Sequence, residues 1–520
     1  MKDVQVNNML ERPQINVNQS ELVFGLAGAV GTNTKSVVGM IKTRLSNFGY
    51  QVKEINISSF LSVFADKNDG KKTEELKEFE RLTRLMDTGD KLRKENDNGF
   101  LAMYAIDQIQ RGRTWGHKGE KEPAPQAKIA YIIWLLKNPA EVELLRAVYG
   151  TGFYLIGIFE EQEKREQNLN DRKGKIDAQQ LNELFSRDEE DIDISGQQNR
   201  ATYQLADFFV NLSKPIHIVE AEIFRFINLI FGEPFMTPTF GEYAMFMAYS
   251  TSLRSADLSR QIGAVICRDD EILSLGANDC PKVGGGLFWI HHNPNARLRG
   301  DVFKDEDYGR DYLRGKDANK EQFLNIVKAI FDEFDIEFCP ENVRKAKNTP
   351  LGNLTEYGRA VHAEMEALAC CARNNISCRD AVVYVTTYPC HNCAKHLIAA
   401  GIKKIIYIEA YPKSKTEDFY GNLFNVDTLA GQAESTIPLV PFFGVGPRRF
   451  IDFFAMDANF IRPRIRKGKE SNNLKEYGKV IRWNEDKATV RSILDPQSYL
   501  DREMYFSIYY NSLLEKYLSE

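Results

Sequence analysis

Short apolar runs alternate with polar, helix-favouring stretches through the first half of the chain. An apolar run at residues 22–27 leads into a glycine-rich turn and a helical stretch, and residues 51–57 are predicted to form a second strand. Two more apolar runs, at 128–134 and 152–158, stand on either side of a helical stretch at 140–149. Continuous runs of this length are typical of strands buried on both faces of a parallel sheet. The pattern therefore predicts an α/β domain built on a parallel sheet.

The second half keeps the alternation but begins with a hairpin. A helix at 241–255 comes first, and two strands joined by the turn Asp269-Asp270 follow it. The later elements are a helix at 360–374, a strand at 381–386, a helix at 390–400 and a strand at 403–408. This order predicts a second α/β domain.

Proline and glycine mark the boundary between the halves. Residues 232–238 carry two prolines and a glycine, so we expect a linker there. The expected organisation is a tail at 1–20, a first domain at 21–231, and a second domain at 239–520 with an insert at 284–350.

Four residues in two short motifs carry the clearest chemistry. His362 and Glu364 begin one predicted helix, and Cys390 and Cys393 begin another. One imidazole and two thiolates give zinc three protein ligands and leave a fourth position for water, which is the arrangement of catalytic zinc. The helix dipole and free N–H groups at a helix start favour the thiolate form. The pattern resembles the H-x-E…P-C-x-x-C signature of zinc nucleobase deaminases, in which the glutamate carries protons.

A structural zinc site is the competing interpretation of the same residues. Such a site normally has four protein ligands, and His391 and His396 are the only candidates for a fourth near the two cysteines. Two linked half-motifs in the right order favour the catalytic interpretation, with Zn²⁺ held by His362, Cys390 and Cys393.

The glycine-rich turn after the first apolar run is a candidate phosphate site. A strand, a glycine-rich turn and a helix together can hold phosphate at the helix N-terminus. The residues expected to bind a nucleotide there are Gly28, Gly31, Thr34, Lys35 and Ser36. The turn departs from the P-loop consensus G-x-x-x-x-G-K-[ST], because Asn33 stands where the second glycine belongs. The order of elements nevertheless resembles that of P-loop nucleoside and nucleotide kinases, so we expect a P-loop-like domain.

The composition limits the classes of partner and the cellular compartments that are expected for this protein. The chain has 520 residues, is 43% hydrophobic and 27% charged, and has a net charge of −5, which argues against broad non-specific nucleic-acid binding. The eight cysteines form no regular framework, as expected in a reducing compartment. No signal peptide is evident, and the longest apolar run, at 129–136, is too short to span a bilayer. We expect a cytoplasmic protein that is not attached to a membrane.

Further motifs complete a resemblance to the deoxycytidylate deaminases over residues 241–454. That family carries R-S-x-D…Q-x-G-A on the first strand and G-x-N…P after the second. The matching residues here are Arg254, Ser255, Asp257, Gln261, Gly263, Ala264, Gly276, Asn278 and Pro281. The resemblance implies a cytidine deaminase-like α/β/α sandwich. One departure is Glu366, which stands where the family usually carries asparagine.

The whole chain, a P-loop-like domain followed by this deaminase, resembles bacterial anti-phage deoxycytidine-nucleotide deaminases. The resemblance implies deamination of dCTP and dCMP, depletion of a pool that a phage needs, and restraint by a small RNA. A nucleotide effector of the first domain also fits it. The C-terminal helix at 498–520 is rich in tyrosine and leucine, and we expect it to pack on a neighbouring subunit of a homo-oligomer.

The insert at 284–350 is longer than the loop of the deoxycytidylate deaminases. It is either a lid over the site or a surface elaboration, since long loops are uncommon without such a role. Its His291-His292 pair is expected to be a structural pair, and a second metal site is the less favoured interpretation.

The sequence thus predicts a hydrolase acting on the C–N bond of a cyclic amidine. Zinc activates water, Glu364 moves the proton, and the product is a deoxyuridine nucleotide. Asn278 is expected to contact the sugar, Tyr388 to pack against the base, and Ala363 to contribute a third substrate contact. The choice between dCTP and dCMP stays open. The alternatives are a deaminase of single-stranded DNA or RNA, and a nucleotide kinase with a vestigial deaminase.

Overall fold

The computed structural model divides the chain into two compact units. It describes residues 20–69, 72–113, 125–172, 174–189, 193, 195–292, 294–295, 302–305, 309–354, 356–409, 414–426, 436–456, 478–485, 488, 490–491 and 496–519. Unit 1 contains the described residues up to Thr237 and again from Phe443 onward, and unit 2 runs from Pro238 to Phe442. The boundary at Thr237 falls inside the expected linker. Almost all of the expected tail, residues 1–19, lies outside the described residues.

Fourteen strands are present among the described residues. They are β1 (Leu22–Gly28), β2 (Gln51–Asn56), β3 (Ile129–Trp134), β4 (Phe153–Phe159), β5 (Phe208–Asn211), β6 (Gly263–Arg268), β7 (Glu271–Ala277), β8 (His291–His292), β9 (Phe303–Lys304), β10 (Val382–Thr387), β11 (Lys404–Glu409), β12 (Phe424–Val426), β13 (Ile437–Pro441) and β14 (Gly444–Val445).

The α-helices of the described residues follow the same chain order. They are α1 (Thr34–Asn47), α2 (Ile57–Asp69), α3 (Glu78–Glu95), α4 (Phe100–Arg111), α5 (Pro139–Tyr149), α6 (Gln162–Asn170), α7 (Ala178–Glu189), α8 (Asn199–Tyr203), α9 (Ile216–Ile230), α10 (Phe240–Ser252), α11 (Asp311–Arg314), α12 (Ala318–Glu333), α13 (Pro340–Lys347), α14 (Ala363–Arg373), α15 (His391–Ala399), α16 (Thr416–Tyr420), α17 (Phe450–Phe454) and α18 (Pro496–Ser519). None of the helices in this part of the chain is both long and apolar enough to cross a membrane.

Unit 1 is built on a six-stranded sheet in the order β14-β5-β4-β1-β3-β2. Strands β1 to β5 pair in parallel, and only β14 runs antiparallel to its neighbour. All seven residues of the central strand β1 are buried, because helices cover both of its faces. The apolar runs therefore indicated the parallel sheet correctly.

The C-terminal end of the chain belongs to unit 1, which differs from the expected second domain at 239–520. Val445, Phe453 and Val490 join the hydrophobic core that β1 and α1 form. Helix α18 packs along α4 of the same chain, where the rings of Phe100 and Tyr510 lie 5.1 Å apart. One face of α18 thus packs within unit 1, whereas Tyr505 and Ile508 are 63% and 64% exposed, so packing of this helix on a neighbouring subunit stays a prediction. The deaminase-like unit ends at Phe442.

Unit 2 has a mixed sheet in the order β12-β13-β11-β10-β6-β7. Strands β10, β11, β13 and β12 are parallel, whereas β6 runs antiparallel to both β10 and β7. The turn between β6 and β7 places Asp269 and Asp270 at φ +52° and +60°, in the left-handed region that tight hairpin turns use.

Two glycines show that helices cover both faces of this sheet. Gly263 pairs with Ala277 and Gly276 pairs with Ala264, so the two glycines point to opposite faces. A Cβ atom on Gly263 would overlap the carbonyl oxygen of Ala248 in α10, and one on Gly276 would overlap the carbonyl oxygen of Ala363 in α14. Helices α10 and α14 therefore sit directly on opposite faces, which is the α/β/α layering that the resemblance implied.

Candidate active site

Two helix N-termini bring the expected metal ligands together. His362 is the N-cap residue of α14, and Cys390 is the N-cap residue of α15, with Cys393 in its first turn. The helix starts were expected one or more residues earlier. Pro389 directly precedes the N-cap residue of α15.

The three side chains fit one tetrahedral metal ion. The Nδ1 atom of His362 lies 3.3 Å from the Sγ atom of Cys390 and 3.3 Å from the Sγ atom of Cys393. Zinc bonds of about 2.0–2.1 Å to nitrogen and about 2.3 Å to sulfur place tetrahedral ligands about 3.5 Å apart. Within the described residues no fourth protein ligand joins this cluster, which leaves a position for water. His391 and His396 stay outside it.

Burial and hydrogen bonding set the charge of the sulfur ligands. Hydrogen bonds from Cys393 and His362 lower the pKa of the Cys390 thiol to about 4. The same bond to Cys390, together with burial, raises the pKa of Cys393, and the bond from His362 to Cys390 raises the pKa of His362 to about 9. Zinc requires two thiolates and a neutral imidazole, so its binding displaces the protons that this group holds.

Glu364 is the carboxylate closest in sequence to the metal ligands. It lies in the first turn of α14 and is only 4% exposed, and burial raises the pKa of its carboxyl. The same cavity wall contains His362, Glu364 and Cys390. A buried carboxyl in that position can take up and return a proton beside the metal site.

The cavity measures about 330 Å³ and is closed by three parts of unit 2. One side is the loop before β6, which includes Asp257 and Arg260. Asp311 and Asp317 of the insert also line the cavity, and so does Arg359. The insert thus contributes to the wall of the cavity, and its role as a lid stays a prediction.

Asn278 and Tyr388 both line this cavity, and each also holds neighbouring structure in place. The Asn278 side chain accepts a hydrogen bond from Ile262 N at 2.7 Å and donates one to Arg260 O at 2.8 Å, so it shapes the loop before β6. The Tyr388 hydroxyl donates to Glu417 at 2.9 Å. Ala363 is the first residue of α14 and is fully buried in the core of unit 2. Contacts of these residues with sugar or base stay predictions.

Two other expectations concern Glu366 and the histidine pair. Glu366 is buried on α14, and its carboxylate accepts a hydrogen bond from Arg373 at 2.6 Å. His291 and His292 are exposed on the short strand β8, and the ring of His292 lies edge-on to Phe303. In the part of the chain that the structure describes, neither histidine belongs to a cluster able to hold a metal.

The five residues of the candidate phosphate loop lie where β1 meets α1. Gly28 ends β1, Gly31 has φ +89°, and Thr34, Lys35 and Ser36 open α1. The loop lines a cavity of about 340 Å³ within unit 1. A Cβ atom on Gly31 would come within 2.7 Å of Arg165 O in α6, so glycine is needed both for its φ angle and for this close approach.

Two buried carboxylates already bind the backbone donors of this loop. Val30 N donates to Asp188 at 2.8 Å, and Asn33 N donates to Glu160 at 2.8 Å. Lys137 binds Asp188 at 2.7 Å and Gly28 O at 2.6 Å. Phosphate binding by these amides requires the carboxylates to move away. Nucleotide binding at the loop therefore stays a prediction.

Sequence reasoning missed the partners that brace both candidate sites. Glu160 follows directly after β4, and a carboxylate at the end of a buried parallel strand is a recognisable signal, because ligands bind at that edge of a sheet. Asp188 and Lys137 do not directly follow a predicted strand, so nothing in the sequence indicated that they contact this loop. Arg359 and Asp311 lie 48 residues apart, and nothing in the local pattern indicated that they meet.

The region that contains the metal ligands matches a known protein family. Residues 238–409 match the family model described as the cytidine and deoxycytidylate deaminase zinc-binding region. This match, together with the His362, Cys390 and Cys393 cluster, confirms zinc as the metal.

Similar whole proteins are named deoxycytidylate deaminases. That of Enterobacteria phage T4 is 47% identical over 176 residues, which cover 32% of this chain and 77% of the phage protein. That of Mycobacterium phage D29 is 42% identical over 170 residues, 33% of this chain and 94% of the relative. Among solved structures, dCMP deaminase from the cyanophage S-TIM5 aligns with 40% of this chain and 100% of that chain at 17% identity and a TM-score of 0.21.

Proposed function

The chain belongs to the deoxycytidylate deaminase family, and from that premise we propose that unit 2 hydrolyses the exocyclic C–N bond of a deoxycytidine nucleotide. The products are the deoxyuridine nucleotide and ammonia. The observation that carries the proposal is the cluster of His362, Cys390 and Cys393, of which His362 and Cys390 line one cavity together with the buried Glu364. Neither the unit 1 loop nor the exposed histidine pair offers such a set of groups.

The residues of unit 2 divide the chemistry between them. When bound by its three ligands, zinc supplies an activated water as the nucleophile. Glu364 takes up one proton from this water and delivers it to the ring nitrogen, and it then passes the water's second proton to the amine, which departs as ammonia. Because Glu364 is buried, bulk water does not compete for that proton.

Substrate size follows from the cavity. A volume of about 330 Å³ suits a small molecule, and the insert helps to close it. We therefore favour a free nucleotide over a base within single-stranded DNA or RNA. The names of the relatives make dCMP the first substrate to test, and the resemblance of the whole chain makes dCTP the second.

The experiment compares these substrates directly. Purified zinc-loaded full-length protein is incubated with dCMP, dCTP, single-stranded DNA and ATP, and ammonia and nucleotides are quantified by chromatography. We expect deoxyuridine nucleotides from dCMP or dCTP and no change in the DNA. Deamination of the DNA alone would establish the polynucleotide deaminase, and turnover of ATP alone would establish the kinase.

A role in antiviral defence is the biological part of the proposal. Removing deoxycytidine nucleotides deprives a replicating phage of a DNA precursor. This role rests on the resemblance of the two-unit architecture to the anti-phage deaminases. The test compares phage yield and dCTP pools in bacteria that produce the wild type or Glu364→Gln. A lower yield and a smaller pool with the wild type only are expected. Equal yields in both cultures would contradict the role.

Unit 1 is proposed to bind a nucleotide effector at the loop between β1 and α1. The support is its position at the end of the central parallel strand, where such loops bind phosphate. Lys35→Ala combined with Ser36→Ala should change the control of deamination and leave the zinc content at the wild-type level. Unchanged response to every nucleotide tested would contradict the effector site. Restraint by a small RNA and assembly into a homo-oligomer rest on the resemblance.

A further inference from the structure

We infer that Arg359 binds the phosphate of the nucleotide and that Asp311, from the insert, is a positioning residue that holds Arg359 for this contact. The inference rests on the proposed function, because it assigns a second part of the same cavity.

Arg359 lines the same cavity as two of the metal ligands, and hydrogen bonds to Asp311 and Gly309 hold its side chain in place. It precedes the metal ligand His362 by three residues and lines the same cavity. Its Nη1 atom lies 2.6 Å from Asp311 Oδ1, and its Nη2 atom donates to Gly309 O at 3.1 Å. The side chain is 34% exposed, so it is neither buried in the core nor free in solvent.

The cavity leaves one region for the phosphate. The cytosine ring must reach the end formed by His362, Glu364 and Cys390, where the amine is removed. Sugar and phosphate then occupy the remaining space, which two arginines line, Arg260 and Arg359. Arg260 is exposed on the loop before β6. Arg359 is the candidate ligand, because its guanidinium is already held by Asp311 and Gly309 and therefore loses little conformational freedom on binding.

Contact with Asp311 does not prevent Arg359 from binding an anion. A guanidinium carries five N–H donors in a fixed fork, so it can bind a carboxylate and a phosphate at the same time. Its charge then cancels that of Asp311 and leaves the phosphate close to a neutral pair.

The other acidic residues of the wall are engaged in local structure. Asp257 accepts from Ser259 N at 2.9 Å and closes the turn before β6. Asp317 is the N-cap residue of α12 and accepts from Lys320 N at 3.1 Å. Their carboxylates therefore have roles that do not call for a cationic ligand in the cavity.

This arrangement assigns the insert a specific role, which is to position the Arg359 side chain. It supplies Asp311 and Gly309, which fix the guanidinium on the segment just before the metal ligand. The N–H donors of the Arg359 guanidinium then favour a phosphorylated substrate over deoxycytidine, because they bond the phosphate oxygens that deoxycytidine lacks.

The test measures kcat and KM of the full-length zinc-loaded protein with dCMP, dCTP and deoxycytidine. We expect Arg359→Ala to raise KM for the nucleotides by about 10- to 100-fold, as the loss of a charged hydrogen bond does, with a change in kcat of less than about threefold. Asp311→Asn should raise the same KM by a smaller factor of about 3- to 10-fold, because Arg359 remains but is less well placed. The ratio of kcat/KM for dCMP to that for deoxycytidine should fall in both variants.

Arg314→Ala is the matched control. Arg314 is also 34% exposed and also faces Asp311, at 4.0 Å, but it does not line the cavity. Its removal should leave KM for dCMP within about twofold, and every variant should keep the wild-type zinc content. An unchanged KM in Arg359→Ala, or an equal loss for dCMP and deoxycytidine, would overturn the inference alone. A wild type that deaminates none of the three substrates would overturn the proposed function itself.

Discussion

Arg113 and Glu503 lie 390 residues apart in the chain and form a doubly hydrogen-bonded ion pair inside unit 1, with N–O distances of 2.6 and 2.7 Å. Both side chains are at most 1% exposed, and Arg113 also binds Glu21 at 2.8 Å. This pair joins α18 to the segment that follows α4. It accounts for the presence of the C-terminal helix in unit 1.

Removing Arg113 should destabilise unit 1 strongly. Arg113→Ala leaves two buried carboxylates without their partner, a change that costs about 3–5 kcal/mol. Arg111→Ala is the control, since Arg111 lies on the same part of the chain but is 59% exposed, and it should cost about 1 kcal/mol or less. Denaturant unfolding followed by fluorescence measures both. Equal losses in the two variants would contradict a stabilising role of the buried pair.

The stability that Glu503 provides should depend on pH. Burial raises the pKa of Glu503 above its ordinary value of 4.5. The contribution of Glu503 to the free energy of unfolding, relative to a glutamine at the same position, is therefore fully present below pH 4.5. It is lost as pH rises through the folded-state pKa. We expect the Tm of Glu503→Gln minus the Tm of the wild type to increase as the pH rises from 4.5 to 8. A difference in Tm that moves the other way would show that Glu503 is ionised more readily in the folded protein.

The sequence indicated the elements that carry strong local signals. Continuous apolar runs predicted β1, β3 and β4, because strands buried on both faces need no polar positions. The spacing of His362, Glu364, Cys390 and Cys393 indicated the metal site, since one helix start supplies each pair.

Long-range partners could not be predicted in the same way. Arg113 and Glu503 carry no local pattern that marks them as a pair, so the sequence did not indicate that the C-terminal helix packs within unit 1. The loop beginning at Gly28 indicated a phosphate site, but only the structure shows Asp188 and Glu160 bound to its amides. Insert residues such as Asp311 reach the cavity through tertiary packing, which sequence spacing does not encode.

The metal should be lost with either cysteine ligand. Cys390→Ala and Cys393→Ala each leave two protein ligands, too few for a tightly held zinc ion. Cys339→Ala is the control, because Cys339 lies on the insert outside the cluster. Metal analysis of the purified proteins should give about one zinc per chain in the wild type and the control only. Stoichiometric zinc in both ligand variants would contradict the assignment.

Nucleotide binding at the loop of unit 1 should be limited by Asp188. Asp188→Ala removes a buried negative charge and releases Val30 N, so affinity for a nucleoside triphosphate should rise by about tenfold or more. Asp193→Ala is the control, since Asp193 forms an exposed pair with Lys94 at 2.7 Å, and it should leave the affinity unchanged. Calorimetric titration with ATP and dCTP measures both. No binding to Asp188→Ala would show that the loop has only a structural role.

The role of Glu364 is the central claim, and deamination by Glu364→Gln tests it most directly. Glutamine keeps the shape and hydrogen-bonding capacity of the side chain but cannot accept a proton, and loss of a general acid–base group typically costs about 10²–10⁴-fold in rate. The measurement is dCMP and dCTP conversion by chromatography, with zinc content and dCMP binding determined on the same sample. The account predicts a folded variant that retains zinc, binds the nucleotide and loses nearly all turnover. Turnover close to that of the wild type would mean that another group moves the proton, and would contradict the mechanism.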